Sequence, residues 1–228
     1  TLNVVNGANG FTRIAPAMIG QLTVPGVSLA SEPASATGPR LPFELADLEV
    51  LVDGVASPLY RVSDNTVRLI IPKGTRQTGT AEFLIRRPST GEYVANSRLT
   101  MSPYSPAVLF RTTNPGKSGD QARAVNQDGS DNTTSRSVSV GQEITVFLTG
   151  YGAVDGLPDD GVAPGSEQPM GGETPKVYIQ LNSTQAVECK DNVSSTLDPN
   201  EPGVWRVKYK VPTIPANGTF NLGFWVLY

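Results

Sequence analysis

A short motif occurs twice in this chain, and a second motif precedes it each time. Val67–Pro72 (VRLIIP) recurs as Val207–Pro212 (VKYKVP), and a Gly-Thr pair follows each copy. Upstream, Gly20–Val24 (GQLTV) is echoed by Gly141–Val146 (GQEITV). Because motifs that repeat in a fixed order indicate a duplicated unit, we predict two copies of one domain.

The length and the turn residues agree with this prediction. A chain of 228 residues suits two domains of roughly 100 residues each. Its 23 Gly and 19 Pro separate short alternating runs, and such strands at intervals of roughly 8 to 12 residues are typical of immunoglobulin-like sandwiches. We therefore predict an all-β fold of two tandem immunoglobulin-like β-sandwich domains, residues 1–104 and 105–228. The boundary is the Pro-rich Ser102–Pro106, where few contacts are expected to cross.

The predicted strands follow apolar alternation and turn signals. In domain 1 they are Leu2–Val5, Ile14–Met18, Gln21–Val24, Leu48–Val52, Ala56–Val62, Val67–Ile71, Thr80–Arg86 and Glu92–Met101. In domain 2 they are Ala107–Arg111, Ala122–Asn126, Glu143–Thr149, Val177–Leu181, Gln185–Glu188, Val204–Val211 and Thr219–Tyr228. Gly152–Gly172 and Lys190–Pro202 are predicted loops, and loops of that length usually cover, bind or contact something.

The two copies differ at their last strand. In the first copy Thr80–Arg86 turns into Glu92–Met101, whereas the matching strand of the second copy, Thr219–Tyr228, has no successor in the sequence. We expect domain 2 to lack its closing strand. A sandwich without that strand leaves an open edge on which another strand can pair.

The last strand is apolar and carries neither a charge nor a proline to protect such an edge. Alternation places Phe220, Leu222, Phe224, Val226 and Tyr228 on one face, and Trp225 and Leu227 on the other. The predicted acceptor residues for a donated strand are Phe220, Leu222, Phe224, Trp225, Val226 and Tyr228.

The N-terminal segment has two interpretations. In the first, Thr1–Asn6 is donated to a neighbouring subunit, with Leu2, Val4 and Val5 entering its gap; such a head-to-tail contact propagates into a fibre. In the second, Leu2–Val5 closes the sheet of the terminal strand within its own chain. The first interpretation predicts a homopolymer.

Composition argues against several functions. The net charge of −3 comes from scattered charges without a basic stripe, so we expect no nucleic acid partner. The chain has no run of 18 apolar residues, so we expect no membrane insertion. It starts at Thr1 without a leader sequence, which predicts a mature secreted protein in the extracellular space or on the cell surface.

The sequence contains no histidine, which removes Ser-His-Asp and Cys-His mechanisms and the commonest zinc and copper sites. We therefore expect no enzymatic activity and no cofactor. The single cysteine, Cys189, has no partner for an internal disulfide, and a half-buried strand position or an intermolecular bridge are its two interpretations.

Two acidic segments are candidates for calcium, because carboxylate and amide oxygens are its ligands. They are Asn126, Asp128, Ser130, Asp131 and Asn132, and the loop residues Asp155, Asp159 and Asp160. Asx turns and ordinary Pro-Gly turns explain the same residues.

Five aromatic residues are candidates for a sugar-stacking platform: Trp205, Trp225, Tyr151, Tyr178 and Tyr228. Packing in strands explains them as well. Surface glycans are the partner that this interpretation predicts.

Several segments resemble one family in order along the chain. They are Val4–Ala8, Ile14–Pro16, Leu48–Pro72, Asn126–Ser130, Thr149–Val154, Asp159–Gly161 and Gly203–Pro212. The family comprises uncharacterised C-terminal domains of large secreted bacterial proteins. The resemblance implies tandem immunoglobulin-like domains outside the cell, without known catalytic residues. Against this family we expect two departures: that the domain pair is the entire mature protein, and that the closing strand is missing.

Together these patterns favour a non-enzymatic extracellular structural protein, the subunit of a cell-surface filament or pilus-like fibre assembled by β-strand donation. The alternative is a carbohydrate-binding or adhesive module of a secreted bacterial protein.

Overall fold

The structure is a computed structural model that describes residues 2–111, 121–171, 175–180, 184–214 and 224–227, with the backbone alone for residues 180 and 224–227. Every regular secondary-structure element in these ranges is a β-strand, so the all-β prediction is confirmed. No helix long and apolar enough to cross a membrane occurs in this part of the chain.

Nineteen strands are described. Those before residue 101 are β1 (Asn3–Asn6), β2 (Ile19–Thr23), β3 (Ala34–Ser35), β4 (Glu44–Leu45), β5 (Leu48–Val52), β6 (Val55–Ala56), β7 (Leu59–Ser63), β8 (Thr66–Ile70), β9 (Thr80–Arg86) and β10 (Tyr93–Thr100). Those after it are β11 (Ala107–Val108), β12 (Ala124–Asn126), β13 (Glu143–Thr149), β14 (Gln168–Pro169), β15 (Lys176–Gln180), β16 (Ala186–Cys189), β17 (Ser194–Leu197), β18 (Trp205–Lys210) and β19 (Phe224–Leu227).

Strands β1 to β10 form two antiparallel sheets, which we call the N-terminal sheet pair. One sheet has the order β1-β2-β8-β7-β3, and the other has the order β10-β9-β5-β4 with β6 paired to β5. Leu22 and Leu69 from the first sheet and Val50 and Phe83 from the second are fully buried in one hydrophobic cluster. Alternation along the strands supplies these residues, because every second side chain points to the same face.

Strands β11 to β19 form the C-terminal sheet pair. One sheet has the order β11-β13-β18-β17-β14, with β12 also on β13, and the other has the order β16-β15-β19. Their shared core contains Val146 and Val207 from the first sheet and Val177 and Ile179 from the second.

The β1-β2-β8-β7-β3 sheet of the first pair and the β11-β13-β18-β17-β14 sheet of the second have matching positions. β8 ends two residues before Pro72 and pairs with β2. In the same way, β18 ends two residues before Pro212 and pairs with β13. Val67 pairs with Leu22, and Val207, 140 positions (207 − 67) further on, pairs with Val146.

The repeated Gly-Gln motif is an exception. Gly20 lies inside β2, whereas Gly141 lies before β13. The strand pairing relates Leu22 to Val146, a separation of 124 (146 − 22), and not the 121 (141 − 20) of the two glycines. The two Gly-Gln pairs are therefore not at equivalent positions of the two strands, although Leu22 and Val24 after one pair and Ile144 and Val146 after the other are all buried in their cores.

Several predicted segments differ from the structure. The predicted strand Ala56–Val62 is divided between β6 and β7, and the predicted loop Gly152–Gly172 contains β14. Residues of Ile14–Met18 form no named strand, and only Ile14 makes a bridge, to Met101. The predicted loop Lys190–Pro202 contains β17, which pairs with β18. The sequence of β17, SSTL, lacks apolar alternation, and its pairing depends on β18 being available beside it.

The prediction that few contacts cross the Pro-rich boundary was wrong. A hydrophobic cluster, here called the joint, joins the two sheet pairs; its buried members are Ala8, Ile19, Leu41, Ile70, Ala107, Leu109, Phe147 and Val204. Ile19 and Ile70 are cross-strand partners, and they alternate with residues of the N-terminal core. Both faces of the β2–β8 pair are therefore buried at this point.

Polar contacts reinforce the joint. The Thr149 hydroxyl accepts a hydrogen bond from the Ile19 N–H at 2.8 Å and donates to the Gly203 carbonyl at 2.9 Å. The buried Asn6 amide donates to the Ser105 carbonyl at 2.8 Å. Burial without such partners would cost free energy, so these groups define how the two sheet pairs meet.

Phe147 is the central aromatic residue of the joint. It is 7% exposed, and the guanidinium carbon of Arg123 lies 4.3 Å from its ring centroid, that of Arg206 5.4 Å. Both arginines also pair with carboxylates, Glu201 at 2.6 Å and Asp198 at 2.8 Å respectively.

We predict that Phe147→Ala lowers the free energy of unfolding by about 3 kcal/mol, because it removes a buried aromatic ring and leaves a cavity in the joint. Urea unfolding followed by intrinsic fluorescence measures the change. Phe11→Ala is the matched control, since Phe11 is 68% exposed, and it is expected to change stability by less than about 0.5 kcal/mol. Equal effects of the two substitutions would contradict the role of the joint.

Candidate functional site

The predicted acceptor strand is part of the smaller C-terminal sheet. β19 pairs antiparallel with β15, so that Val226 is the partner of Val177 and Phe224 is the partner of Ile179. Val177 and Ile179 are 0% and 1% exposed. The backbone of β19 therefore borders the C-terminal core.

The other side of β19 is an edge. In the described residues β19 ends the strand order β16-β15-β19, and no strand pairs with it on the side away from β15. We call this side the β19 edge. Its unpaired backbone groups are the kind of template on which another strand can add.

The N-terminal sheet pair shows what covers the corresponding position there. β9 pairs with β5 as β19 pairs with β15, with Val50 opposite Ile85 and Val52 opposite Phe83. On its far side β9 is covered by β10, which places Ala95 opposite Ile85. The smaller C-terminal sheet has no strand in the position of β10 among the described residues.

The predicted acceptor residues are only partly within the described chain. Phe224, Trp225 and Val226 lie in β19. Phe220, Leu222 and Tyr228 lie outside the described residues.

The predicted donor segment forms β1, which is paired within the N-terminal sheet pair. β1 pairs with β2, from Asn3 opposite Thr23 to Asn6 opposite Gly20. Leu2 and Val4 are 2% and 3% exposed in the N-terminal core, and Val5 is half-buried.

This placement corrects the second interpretation of the N-terminal segment, whereas donation to a neighbouring subunit concerns a second copy and stays a prediction. Leu2–Val5 does not close the sheet that contains β19, because β1 belongs to a different sheet in the N-terminal pair. Donation to a neighbour would require β1 to leave β2 and to expose Leu2 and Val4. The apolar alternation of this segment is explained by the N-terminal core.

The first acidic segment forms turns. The Asp128 carboxylate accepts hydrogen bonds from the Ser130 N–H at 2.9 Å and from its hydroxyl at 2.6 Å, which lowers the pKa of Asp128. Asp131 pairs with Arg111 at 2.8 Å, and that hydrogen bond lowers its pKa. Asn132 donates to Asn126 at 2.8 Å. The Asp128 contacts are those of an Asx turn, which is the alternative explanation that the sequence offered for these residues.

The second acidic segment contacts the N-terminal sheet pair. Asp160 accepts a hydrogen bond from the Lys73 N–H at 2.9 Å, and Asp159 lies 3.6 Å from the Lys73 ammonium. The loop expected to cover or contact something therefore packs beside the joint, where it lines a cavity of about 50 Å³. Within the described ranges, no group of three or more Cys, Asp or Glu residues is arranged to hold a metal ion.

The predicted sugar platform is not assembled as a surface by those of its side chains that the structure describes, Trp205, Tyr151 and Tyr178. Trp205 and Tyr151 are 2% and 9% exposed and contact each other edge to face, with ring centroids 4.9 Å apart. Tyr178 is half-buried in β15, and Tyr228 lies outside the described residues. Trp205 and Tyr151 are core residues, because their large apolar area is best removed from water.

Sequence reasoning missed a polar groove of about 410 Å³ on the C-terminal sheet pair, although two of its residues were candidates for calcium. Its lining residues are Asn126, Gln127, Asp128, Arg136, Ser137 and Gln142. Their amide, carboxylate, hydroxyl and guanidinium groups can hydrogen-bond to hydroxyl-rich molecules.

Cys189 is buried in the C-terminal core at 2% exposure. Burial raises the pKa of its thiol to about 12. The thiolate, which is the reactive form, is therefore scarce at neutral pH, and this position does not suit an intermolecular bridge.

Comparisons of the chain with protein-family models, with curated proteins and with solved structures found no match.

We predict that Val4→Asp destabilises the N-terminal sheet pair by about 3 kcal/mol or more, because it places an unpaired carboxylate in a dry core. Asn3→Asp introduces the same charge at the exposed neighbouring position and is expected to be close to neutral. Thermal unfolding by circular dichroism distinguishes them. A Val4→Asp protein as stable as Asn3→Asp would contradict the observed place of β1.

We predict that Cys189 resists alkylation by iodoacetamide at pH 7.5 in the folded protein and reacts fully in 6 M guanidinium chloride. Mass spectrometry counts the added groups. An Ala186→Cys variant is the control, since residue 186 is exposed at the start of the same strand, and its new thiol is expected to react without denaturant. Rapid modification of Cys189 in the folded chain would show that its burial is wrong.

Proposed function

We propose that this chain is a non-enzymatic extracellular structural protein, a subunit of a cell-surface filament or pilus-like fibre that assembles by β-strand addition at the β19 edge. One observation carries the proposal: β19 has a free edge in the described residues, whereas β9, which occupies the corresponding position, is covered by β10. An apolar strand with a free edge is an aggregation hazard unless another strand covers it.

We also propose that the two sheet pairs are immunoglobulin-like sandwiches that arose by duplication, over residues 1–104 and 105–228. Two sheets support this, β1-β2-β8-β7-β3 and β11-β13-β18-β17-β14. When the strands of each are ranked by their position in the sequence, both sheets have the same spatial order. The register supports it too, because Phe83 and Ile85 stand opposite β5 as Phe224 and Val226 stand opposite β15.

Strand addition has a sufficient physical basis. Each main-chain hydrogen bond made across the new pair contributes about 1 kcal/mol, and apolar surface covered at the edge contributes roughly 25 cal/mol per Å². If the added strand comes from a different edge of a second copy, the contact is head-to-tail and does not close on itself, which yields a fibre.

The proposal keeps the β19 edge as the acceptor, but it does not use β1 as the donor. For β1 to be donated, the N-terminal core would lose Leu2 and Val4, and Asn6 would lose its buried hydrogen bond to Ser105. A donor that is already free at its edge avoids this cost.

The joint suits a structural role. A fibre subunit must transmit force from one contact to the next, and a packed interface between its two halves transmits it without a flexible hinge. Thr149 and the cluster around Phe147 supply that interface.

The sequence and the carboxylate contacts support the non-enzymatic part of the proposal. No histidine is present in the sequence, and the carboxylates that line the cavity beside the joint have cationic partners, Asp159 and Asp160 at Lys73 and Glu201 at Arg123. The extracellular location rests on the resemblance of the sequence to domains of secreted bacterial proteins.

We predict that the purified chain forms filaments visible by negative-stain electron microscopy and that Trp225→Lys reduces them, because lysine on an edge strand opposes pairing with another chain. Ala186→Lys places the same charge on β16, at the opposite end of the same sheet, and is expected to leave filaments intact. Sedimentation velocity measures the assembled fraction.

The proposal fails if the parent chain sediments as a monomer under all assembly conditions, or if Trp225→Lys assembles as well as Ala186→Lys. Circular dichroism of each variant confirms that a loss of filaments is not a loss of fold.

The polar groove favours the alternative function, a carbohydrate-binding or adhesive module. Arg136 is exposed at its rim, and its guanidinium can donate to sugar hydroxyls. A glycan array with the parent chain and Arg136→Ala tests this, and binding that survives the substitution would exclude the groove as the site.

A further inference from the structure

The edge strands of the described sheets differ in length. β10 has eight residues, whereas β1, β16 and β19 have four each and β3, β4, β11 and β14 have two each. Proteins commonly protect their sheet edges by keeping edge strands very short. β10 is the exception among the described edges.

The composition of β10 offers little other protection. Tyr93–Thr100 contains no proline and one charged residue, Arg98. Arg98 lies 3.6 Å from Glu82 on the neighbouring strand β9, so its charge is directed toward its own sheet. A register shift between Tyr93 and Ala95 is the only irregularity of its pairing with β9.

We propose that β10 of one copy pairs with β19 of the next copy, so that the sheet that contains β10 continues into the sheet that contains β19. This inference rests on the proposed function and names its partner segment as a second copy of this chain. It joins the longest free edge of the N-terminal sheet pair to the free edge of the C-terminal sheet pair.

The pairing requires no strand to leave its sheet. β10 keeps its seven register partners on β9, and β19 keeps its four on β15. Both hydrophobic cores remain closed as they are in the single chain, in contrast to a donation of β1.

The pairing also explains how the contact repeats. β10 and β19 lie on different sheet pairs, which the joint holds together. Each copy therefore offers one edge of each kind, and the head-to-tail contact propagates.

The test is a cross-linking experiment between two variants of the full chain. Asn96→Cys places a thiol at an exposed position of β10, and Trp225→Cys places one on β19. The two proteins are mixed, allowed to assemble and treated with a short bis-maleimide. The buried Cys189 remains in place, and the parent chain serves as its control.

The expected result is a covalent dimer in the mixture that neither variant forms alone, because β10 meets β19 and not a second β10. Glu44→Cys is the matched control, since Glu44 is exposed on β4 at the other end of the same sheet. A mixture of Glu44→Cys with Trp225→Cys is expected to give only the background of the parent chain. Leu227→Cys replaces Trp225→Cys if the latter does not fold.

Other outcomes separate this inference from the proposed function. If the β19 thiol couples to Val5→Cys and not to Asn96→Cys, the partner is β1, which overturns the inference but leaves the filament proposal standing. If filaments form and the β19 thiol couples to neither, the β10 inference is likewise overturned. If every mixture remains monomeric by sedimentation, both proposals fail.

Discussion

The burial of one strand pair on both of its faces is the constraint on which the rest of this structure depends. Leu22 and Leu69 point into the N-terminal core, while their neighbours Ile19 and Ile70 pack in the joint with Phe147 and Val204. Apolar surface on both faces of a sheet is stable only when both are covered. The N-terminal sheet pair therefore depends on the C-terminal one for part of its apolar burial.

Because the two sheet pairs share this buried interface, the edges of β10 and β19 are held in a fixed arrangement relative to each other. An edge strand on a flexibly attached domain would meet its partner in many orientations, and the result would be irregular association. Here Thr149 connects β2 to the backbone beside β18 through two hydrogen bonds, and the hydrophobic cluster around it leaves little freedom. The β10 and β19 edges are consequently held in one relative placement, which the proposed fibre contact requires in order to repeat.

Much of the fold could be read from local patterns. The strands at Leu48–Val52, Thr80–Arg86 and Glu143–Thr149 have the predicted bounds, because alternation and turn residues act over a few positions. The apolar runs before Pro72 and Pro212 are strands in matching places. A comparison of the two copies also predicted an open edge beside the last strand, because Thr80–Arg86 is followed by another strand and Thr219–Tyr228 is not. By contrast, Ser194–Leu197 pairs as a strand although its own sequence does not predict one.

By itself the sequence determined the all-β class, most of the strand positions and the apolar character of the last strand, since these depend on side-chain period and turn chemistry. Only the tertiary structure decided that Leu2 and Val4 belong to their own core, that Trp205 and Tyr151 are buried, and that Phe147 links the two sheet pairs. Alternation shows that a face is apolar but not which surface covers it. That choice is made by residues more than 100 positions apart, such as Ile19 and Thr149, whose proximity no local pattern contains.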